Sequence, residues 1–321
     1  MWSWLRYAPG ALAAALVAAG SALAGEAAGA REAFVTNQTD DTLSVVGLGD
    51  MQALDTIKIG GKPAGVAMSP DGARAFVTAP EGKELIVLDA AARKVAKRIR
   101  VGKGPLGVAA HPSNGRVYVA DWYAHKVFVV DPDAGAIVAE VAVGDSPSGV
   151  AVTPDGRLVL TADRDSNEVS FIDAATNERL GGVKVGTRPF GITIDAAGVR
   201  AYTANVASND VSVIDIKSRK VVATVTVGRR PYAVALAGAR AFVTNQYAGS
   251  VSVIDTGDMK VIKTIPVGDH PEGIDADPSG DFVYVACWFD NVLQRIDAHE
   301  LTITGEAGVG DGPRAFGLFL R

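Results

Sequence analysis

The residue types best suited to chemistry gather near residue 270. His270, Glu272 and Cys287 lie in one segment of the chain. An imidazole, a carboxylate and a thiol can together hold a soft metal ion or form a nucleophile with its base. No GxSxG, HExxH, P-loop or strand-linked GxGxxG signature accompanies them. We interpret Cys287 as a packed, unreactive thiol, and we predict no catalytic residue, no metal site and no cofactor.

Two groups of aspartates could suggest calcium. The segment Asp163-Arg164-Asp165-Ser166-Asn167 begins like a calcium loop but lacks the glycine and the later glutamate of the full pattern. A second set follows strand-like segments and precedes turns. We interpret these aspartates as turn formers whose carboxylates accept backbone N–H groups, and the set is Asp131, Asp173, Asp215, Asp255 and Asp297.

Composition excludes several function classes. The chain has 321 residues, with 36 acidic against 31 basic side chains and a net charge of −5. This balance argues against nucleic-acid binding, because no basic excess is available for phosphates. The single cysteine excludes an internal disulfide. A hydrophobic fraction of 48% is ample for a large core.

The first 24 residues resemble a secretory signal. A short basic start leads into an apolar stretch, and Ala22 and Ala24 supply the small residues that a signal peptidase needs. We expect cleavage after Ala24, with no membrane span afterwards. An uncleaved anchor is the alternative, although the apolar stretch is short for a spanning helix. Residues 25–32 form a small lead-in, and residues 33–321 form one domain.

That domain is predicted from an internal repeat. A Gly-x-x-Pro element recurs seven times with spacings of 42, 42, 42, 42, 40 and 42, and its prolines are Pro63, Pro105, Pro147, Pro189, Pro231, Pro271 and Pro313. Two further markers keep the same phase. One is a strand ending in Asp, and the other ends a short strand at Asn37, Ala79, Asp121, Asp163, Asn205, Asn245 and Cys287. A period near 42 indicates a repeat architecture.

Each repeat is predicted to form four strands. In one unit these are 149–153, 157–162, 168–173 and 179–185, separated by turn residues. Four antiparallel strands per repeat make one blade of a propeller, so seven repeats predict an all-β, seven-bladed β-propeller. The domain begins with the second strand of a unit and ends with a first strand at 315–320. The C-terminal strand should therefore pair with the N-terminal three and close the ring.

Three tetrapeptides make the resemblance specific. Phe34-Val35-Thr36-Asn37, 202–205 and 242–245 are variants of Tyr-Val-Thr-Asn, and Val-Ser-Val-Ile-Asp accompanies them. The chain resembles the YVTN-repeat family of bacterial seven-bladed propellers over residues 33–321. That resemblance implies a periplasmic or secreted location. It also implies a link to quinoprotein oxidoreductases, because some similar propellers are subunits of quinoprotein amine dehydrogenases.

The predicted binding site lies on one face of the ring, which we call the upper face. It holds the blade-to-blade connections and the loops between second and third strands. Aromatic and charged side chains at these positions are typical of binding surfaces. The candidate ligand- or partner-binding residues are Trp122, Tyr123, Arg188, Phe190, Arg230, Tyr232, His270, Glu272, Trp288 and Arg314.

Three functions remain open at this stage. The first is a secreted, non-catalytic propeller whose upper face binds an unknown protein partner or small ligand. The second is a propeller subunit or accessory protein of a periplasmic quinoprotein or haem oxidoreductase. The third is a hydrolase or lyase acting at the channel mouth, for which Glu272 with His270 is the only candidate acid–base pair.

Overall fold

The computed structural model describes Met1 and residues 31–321. Apart from Met1, the predicted signal peptide of residues 1–24 lies outside the described residues, and so do residues 25–30 of the lead-in. The chain enters the ring with β1 (Glu32–Asn37), β2 (Thr42–Gly47) and β3 (Gln52–Lys58). Strand β1 thus begins one residue before residue 33, where the sequence predicts the start of the domain.

Six four-stranded blades follow in chain order. Blade 1 contains β4 (Gly65–Met68), β5 (Arg74–Ala79), β6 (Glu84–Asp89) and β7 (Lys94–Arg100). Blade 2 contains β8 (Pro105–Ala110), β9 (Val117–Asp121), β10 (Lys126–Asp131) and β11 (Ala136–Ala142). Blade 3 contains β12 (Pro147–Val152), β13 (Leu158–Asp163), β14 (Glu168–Asp173) and β15 (Glu178–Lys184). Blade 4 contains β16 (Pro189–Ile194), β17 (Arg200–Asn205), β18 (Asp210–Asp215) and β19 (Lys220–Thr226). Blade 5 contains β20 (Pro231–Ala237), β21 (Arg240–Asn245), β22 (Ser250–Asp255) and β23 (Lys260–Pro266). Blade 6 contains β24 (Pro271–Ala276), β25 (Phe282–Cys287), β26 (Val292–Asp297) and β27 (Thr302–Gly308). A 3-10 turn, Gln246–Ala248, follows β21, and the last strand is β28 (Phe316–Leu318).

The seven-bladed all-β prediction is confirmed. Within each blade the strands are antiparallel neighbours in sequence order, from the inner strand at the axis to the outer strand. The second and third strands are buried along almost their whole length, and the outer strands are mostly exposed. The core therefore lies between the faces of adjacent blades, as the alternating strand patterns require.

Two kinds of side-chain hydrogen bond explain the threonine and the asparagine of the Tyr-Val-Thr-Asn signature. Thr36 Oγ1 donates to the carbonyl of Ala64 in the next blade at 2.8 Å, and Thr244 Oγ1 does the same to Glu272 at 2.8 Å. The asparagine amide binds hydroxyls on its own third strand, as Asn205 Nδ2 does with Ser212 Oγ at 2.9 Å. The threonine thus joins blade to blade, and the asparagine secures the loop after the second strand.

Crowding at the axis explains the glycine found two residues after most marker prolines, such as Gly107 after Pro105. A Cβ on Gly107 would lie 2.1 Å from the carbonyl oxygen of Ser148 on the neighbouring inner strand. No side chain fits at that distance, so glycine at 107 permits this close approach of two inner strands. Ala233 and Ala315 hold the equivalent position in two other units.

The predicted ring closure is confirmed, with one difference. Residues 313–321 run along β1 through antiparallel bridges at Asn37–Pro313 and Ala33–Leu320. The difference is that the middle of this segment, β28, pairs in parallel with β4 of blade 1. Six residues lie between Pro313 and Leu320, whereas only three residues of β1 lie between their partners Asn37 and Ala33, so the extra residues bulge toward the axis.

The turn role of the aspartates is confirmed by their contacts. Asp173 Oδ1 accepts the N–H groups of Ala175 and Thr176, both at 2.9 Å, and Asp255 Oδ1 accepts those of Gly257 and Asp258 at the same distance. These backbone N–H groups hold the pKa values of both carboxyls below their usual range.

Asp163, the first residue of the calcium-like segment, forms hydrogen bonds within its own blade. Its Oδ2 accepts Gly144 N at 2.9 Å and the Ser170 hydroxyl at 2.5 Å, while its Oδ1 is buried without a hydrogen bond to any described residue. Burial raises the pKa of Asp163 to about 7. Equivalent positions such as Asn205 carry an amide, which donates to both of its neighbouring polar groups.

Replacing Asp163 with Asn should stabilise the protein at pH 7.5 by roughly 1 kcal/mol. The raised pKa means that the folded chain binds the Asp163 proton more tightly than the unfolded chain. Stability from this group is therefore present below pH 4 and lost as pH rises toward 7. Urea unfolding of both proteins at pH 5 and 7.5 measures the difference. A gain that is equal at both pH values would contradict the assignment.

Candidate functional site

A cavity of about 330 Å³ opens at the upper end of the central channel, and we call it the mouth. Its volume is within the range of small-molecule sites, roughly 300 to 1,000 Å³. Two repeat positions supply most of its side chains: the residue after each marker proline and the residue after each second strand. The lining residues are Gln38, Pro80, Gly104, Leu106, Trp122, Tyr123, Arg164, Phe190, Val206, Arg230, Tyr232, Gln246, Glu272 and Arg314.

The structure brings together seven of the ten predicted site residues. Those lining the mouth are Trp122, Tyr123, Phe190, Arg230, Tyr232, Glu272 and Arg314. The other three lie elsewhere on the upper face. Arg188 is exposed, and the Trp288 ring packs near Gly312, where a Cβ would lie 3.0 Å from the ring. His270 Nδ1 bonds Asp269 Oδ1 at 2.8 Å.

His270 forms the centre of a second aromatic group outside the mouth. Its ring lies 5.4 Å from that of Tyr247 and 4.4 Å from that of Phe289. Tyr247 and Phe289 are 50% and 60% exposed. No hydrogen bond or ion pair among residues 31–321 joins His270 to Glu272, the two residues suggested from the sequence as an acid–base pair.

A buried ion pair forms the polar floor of the mouth. Arg314 Nε lies 3.3 Å from Glu272 Oε2, and both side chains are largely buried. Arg314 also donates to the Tyr232 hydroxyl at 2.5 Å and to Gln38 Oε1 at 2.9 Å. Gln246 Nε2 donates to Glu272 Oε1 at 2.5 Å. Burial raises the pKa of Glu272, and the adjacent guanidinium of Arg314 opposes that rise.

Below this floor an aromatic plug closes the channel. Phe190 lies 4.3 Å from Tyr232 and 5.0 Å from Phe316, measured between ring centroids. Phe316 comes from the bulged C-terminal segment and also lines a second, apolar cavity of about 170 Å³ further down. The plug, defined as these three rings, separates the mouth from the lower cavity.

One wall of the mouth is a flat aromatic surface. The guanidinium carbon of Arg164 lies 5.1 Å from the centroid of the Trp122 ring. The Phe190 ring packs against the same ring, with 6.1 Å between the two centroids. Tyr123 is 65% exposed and lies against Gly104, where a Cβ would come within 2.5 Å of the tyrosine ring. Glycine at 104 is therefore required for this position of Tyr123.

Arg230 is held at the rim by its backbone. Its N–H donates to Asn209 Oδ1 at 2.8 Å, and its carbonyl accepts Gln246 N at 2.9 Å. The residue adopts a left-handed conformation with φ of 55°, which these bonds stabilise. Its guanidinium lies 4.5 Å from the Tyr247 ring, and its Nε is buried without a hydrogen-bond partner in the described chain.

Cys287 is packed as expected. Its thiol is fully buried, and its nearest polar partner is Gln294 Oε1 at 3.7 Å. Burial raises the pKa of this thiol to about 12, so it remains protonated and a poor nucleophile at neutral pH. Among residues 31–321 no group of three His, Cys, Asp or Glu side chains is arranged to hold a metal ion.

Seven mouth residues were not predicted from the sequence. Five of them follow second strands in the same repeat phase as Trp122, so the phase itself was the available signal, and these are Gln38, Pro80, Arg164, Val206 and Gln246. The other two, Gly104 and Leu106, flank the marker proline Pro105. Phe316, which belongs to the plug below the mouth, gave no such signal, because its position depends on the bulge in the closing segment.

The fold and the mouth define a closed, seven-bladed β-propeller with a lined cavity at one end of its axis. The chain matches the family model described as YNCE-like beta-propeller over residues 13–116 and the NHL repeat model over residues 103–130. With the ring itself, these matches confirm the resemblance to the YVTN-type bacterial propellers. No curated protein sequence matches the chain.

Solved structures share the fold at low sequence identity. Kuenenia stuttgartiensis hydrazine synthase matches with a TM-score of 0.72 and 23% identity, covering 79% of this chain and 88% of that one. A functionally unknown protein from Desulfotomaculum acetoxidans matches with a TM-score of 0.77 and 15% identity, covering 89% and 100%. The dihydro-heme d1 dehydrogenase NirN, in complex with DHE, matches with a TM-score of 0.66 and 14% identity, covering 92% and 76%.

No helix within the described part of the chain is both long and apolar enough to cross a bilayer.

Proposed function

We propose that this protein is a secreted, periplasmic, non-catalytic propeller that binds a small ligand in the mouth of its upper face. The observation that carries the proposal is the convergence of seven sequence-predicted side chains on one cavity of about 330 Å³. Secretion rests on the signal-like residues 1–24.

Binding rather than catalysis is favoured by the state of the polar groups. The Glu272 carboxylate is engaged by Arg314 and Gln246, and His270 is directed to Asp269 instead. General acid–base catalysis needs a positioned acid and base, and no hydrogen bond or ion pair among residues 31–321 joins His270 to Glu272. The mouth therefore offers rigid, preorganised contacts, which reduce the entropy lost on binding.

Trp122 provides a direct test. The full sequence has four tryptophans, at 2, 4, 122 and 288, so a chain beginning at Gly25 with Trp288→Phe keeps Trp122 alone. The protein is purified from the periplasmic fraction, where cleavage leaves Gly25 as its first residue. Titration with a panel of organic acids, amines, sugars and neutral aromatics should give a saturable change in Trp122 emission for at least one class.

A second candidate is a propeller subunit that docks a redox enzyme. It is favoured by two structural relatives that are enzymes, hydrazine synthase and NirN, and by the exposed Tyr247 and Phe289 beside the mouth. Tyr123→Ala and Phe289→Ala separate the candidates, because both rings are exposed but only Tyr123 lines the mouth. Ligand binding should weaken about tenfold in Tyr123→Ala. Loss of a stable hetero-complex in Phe289→Ala alone would favour the second candidate.

A further inference from the structure

The charges around the mouth do not balance. Three arginines line it, against the single carboxylate of Glu272. Arg314 is paired with Glu272 at 3.3 Å, and Arg164 is paired with Asp165 at 2.6 Å. Arg230 forms no ion pair with any residue of 31–321. One uncompensated positive charge therefore remains at the rim.

The donor atoms of Arg230 also lack a partner. Its Nε is buried without a hydrogen bond in the described chain, and an unmade bond of this kind is unfavourable. A guanidinium in this state is suited to a carboxylate, which can accept two parallel N–H bonds. A carboxylate placed in the mouth would supply the missing charge and would accept hydrogen bonds from the terminal nitrogens of the guanidinium, whereas the buried Nε stays out of its reach.

One wall of the mouth is apolar and flat. Trp122 and Tyr123 present ring surfaces, while Leu106, Phe190 and Val206 add apolar groups. The Trp122 ring is already supported by Arg164 at 5.1 Å and by Phe190 at 6.1 Å, so its orientation is set before any ligand enters. A planar, apolar body stacks on such a surface better than a puckered one.

We propose that the mouth selects small organic acids with a planar, unsaturated body and one carboxylate, and that Arg230 is the residue that recognises the carboxylate. This inference rests on the proposed function of the mouth as a ligand site. The planar body lies against Trp122 and Tyr123, and the carboxylate accepts hydrogen bonds from the Arg230 guanidinium at the rim.

Isothermal titration of the protein beginning at Gly25 tests this with three probes. trans-Cinnamate has the planar body and the carboxylate, trans-cinnamyl alcohol lacks the charge, and 3-cyclohexylpropanoate lacks the planarity. We expect cinnamate to bind about tenfold more tightly than either of the others, since a hydrogen bond to a charged group is typically of this order. Equal binding of the alcohol would overturn the role of charge, and equal binding of the cyclohexyl acid would overturn the role of planarity.

Arg230→Gln and Arg229→Gln form a matched pair. Arg229 is the exposed neighbour, which donates to the Tyr247 carbonyl and does not line the mouth. Cinnamate affinity should fall about tenfold in Arg230→Gln and stay within about twofold in Arg229→Gln, with both variants folded by circular dichroism. Equal losses would refute recognition by Arg230. A Trp122 response to neutral ligands but to no carboxylate overturns this inference alone, whereas no response to any ligand overturns the proposed function as well.

Discussion

Deletion of residues 315–321 should abolish the cooperative thermal unfolding of the ring. This segment supplies the innermost strand beside β1, with Phe34 N donating to Phe319 O at 2.9 Å and Arg321 N to Glu32 O at 2.8 Å. Its loss would leave β1 as an open edge and would expose the core around Phe319, which is fully buried. Differential scanning calorimetry of the truncated and full chains measures the effect. An unchanged transition would mean that the ring does not need this strand.

Point variants keep the closure hypothesis testable if the truncated chain does not fold. Phe319→Ala should lower the free energy of unfolding by about 3 to 5 kcal/mol, because it leaves a cavity in a packed core. Leu318→Ala is the matched control one residue away, since Leu318 is 61% exposed. Its effect should stay within about 0.5 kcal/mol. Similar losses for both variants would show that the segment contributes no specific packing.

Arg314→Met is expected to be the most damaging single change in the mouth. It would remove the cation beside the buried Glu272 and leave that carboxylate uncompensated, which typically lowers the free energy of unfolding by about 3 to 5 kcal/mol. The pKa of Glu272 is already raised by burial, so the folded chain binds this proton more tightly than the unfolded chain. The loss should therefore be smaller at pH 5 than at pH 7.5, because protonation removes the uncompensated charge.

The double variant Glu272→Gln/Arg314→Met should recover most of that stability. A glutamine at 272 keeps the shape of the side chain and carries no charge, so the unfavourable burial is relieved. Urea unfolding of the two single variants and the double variant gives the coupling energy. Arg188→Met, an exposed arginine on the same face, should change stability little. Additive effects at 272 and 314 would contradict the pairing.

Repetition made the fold predictable from the sequence. The markers at Pro147 and Asp163 recur in phase with their equivalents in the other units. In the structure these two residues pair with each other, which sets the register between the inner and the second strand of the blade. Composition alone could not have located the mouth. The phase of the repeat locates the mouth, because the residue after the marker proline and the residue after the second strand both face the axis, as Phe190 and Trp122 do.

The remaining part of the site depends on contacts that no local pattern encodes. His270 holds the repeat position before the proline, yet its ring packs against Phe289. Glu272 forms its ion pair with Arg314 instead. Arg314 and Glu272 occupy the same repeat position in neighbouring units, 42 residues apart, so the repeat places them side by side at the axis. The repeat does not predict that these two side chains pair, because the residue types at this position differ from unit to unit.

The aromatic plug makes the channel a cup rather than a pore. Phe190, Tyr232 and Phe316 block the axis below the mouth, so a bound molecule has one route for both entry and exit. Any protein seated across the upper face would cover that route. Occupancy of the cup and docking of such a lid would then be linked kinetically: a molecule caught beneath the lid could leave only after the lid departs, and an empty cup once covered could not be filled.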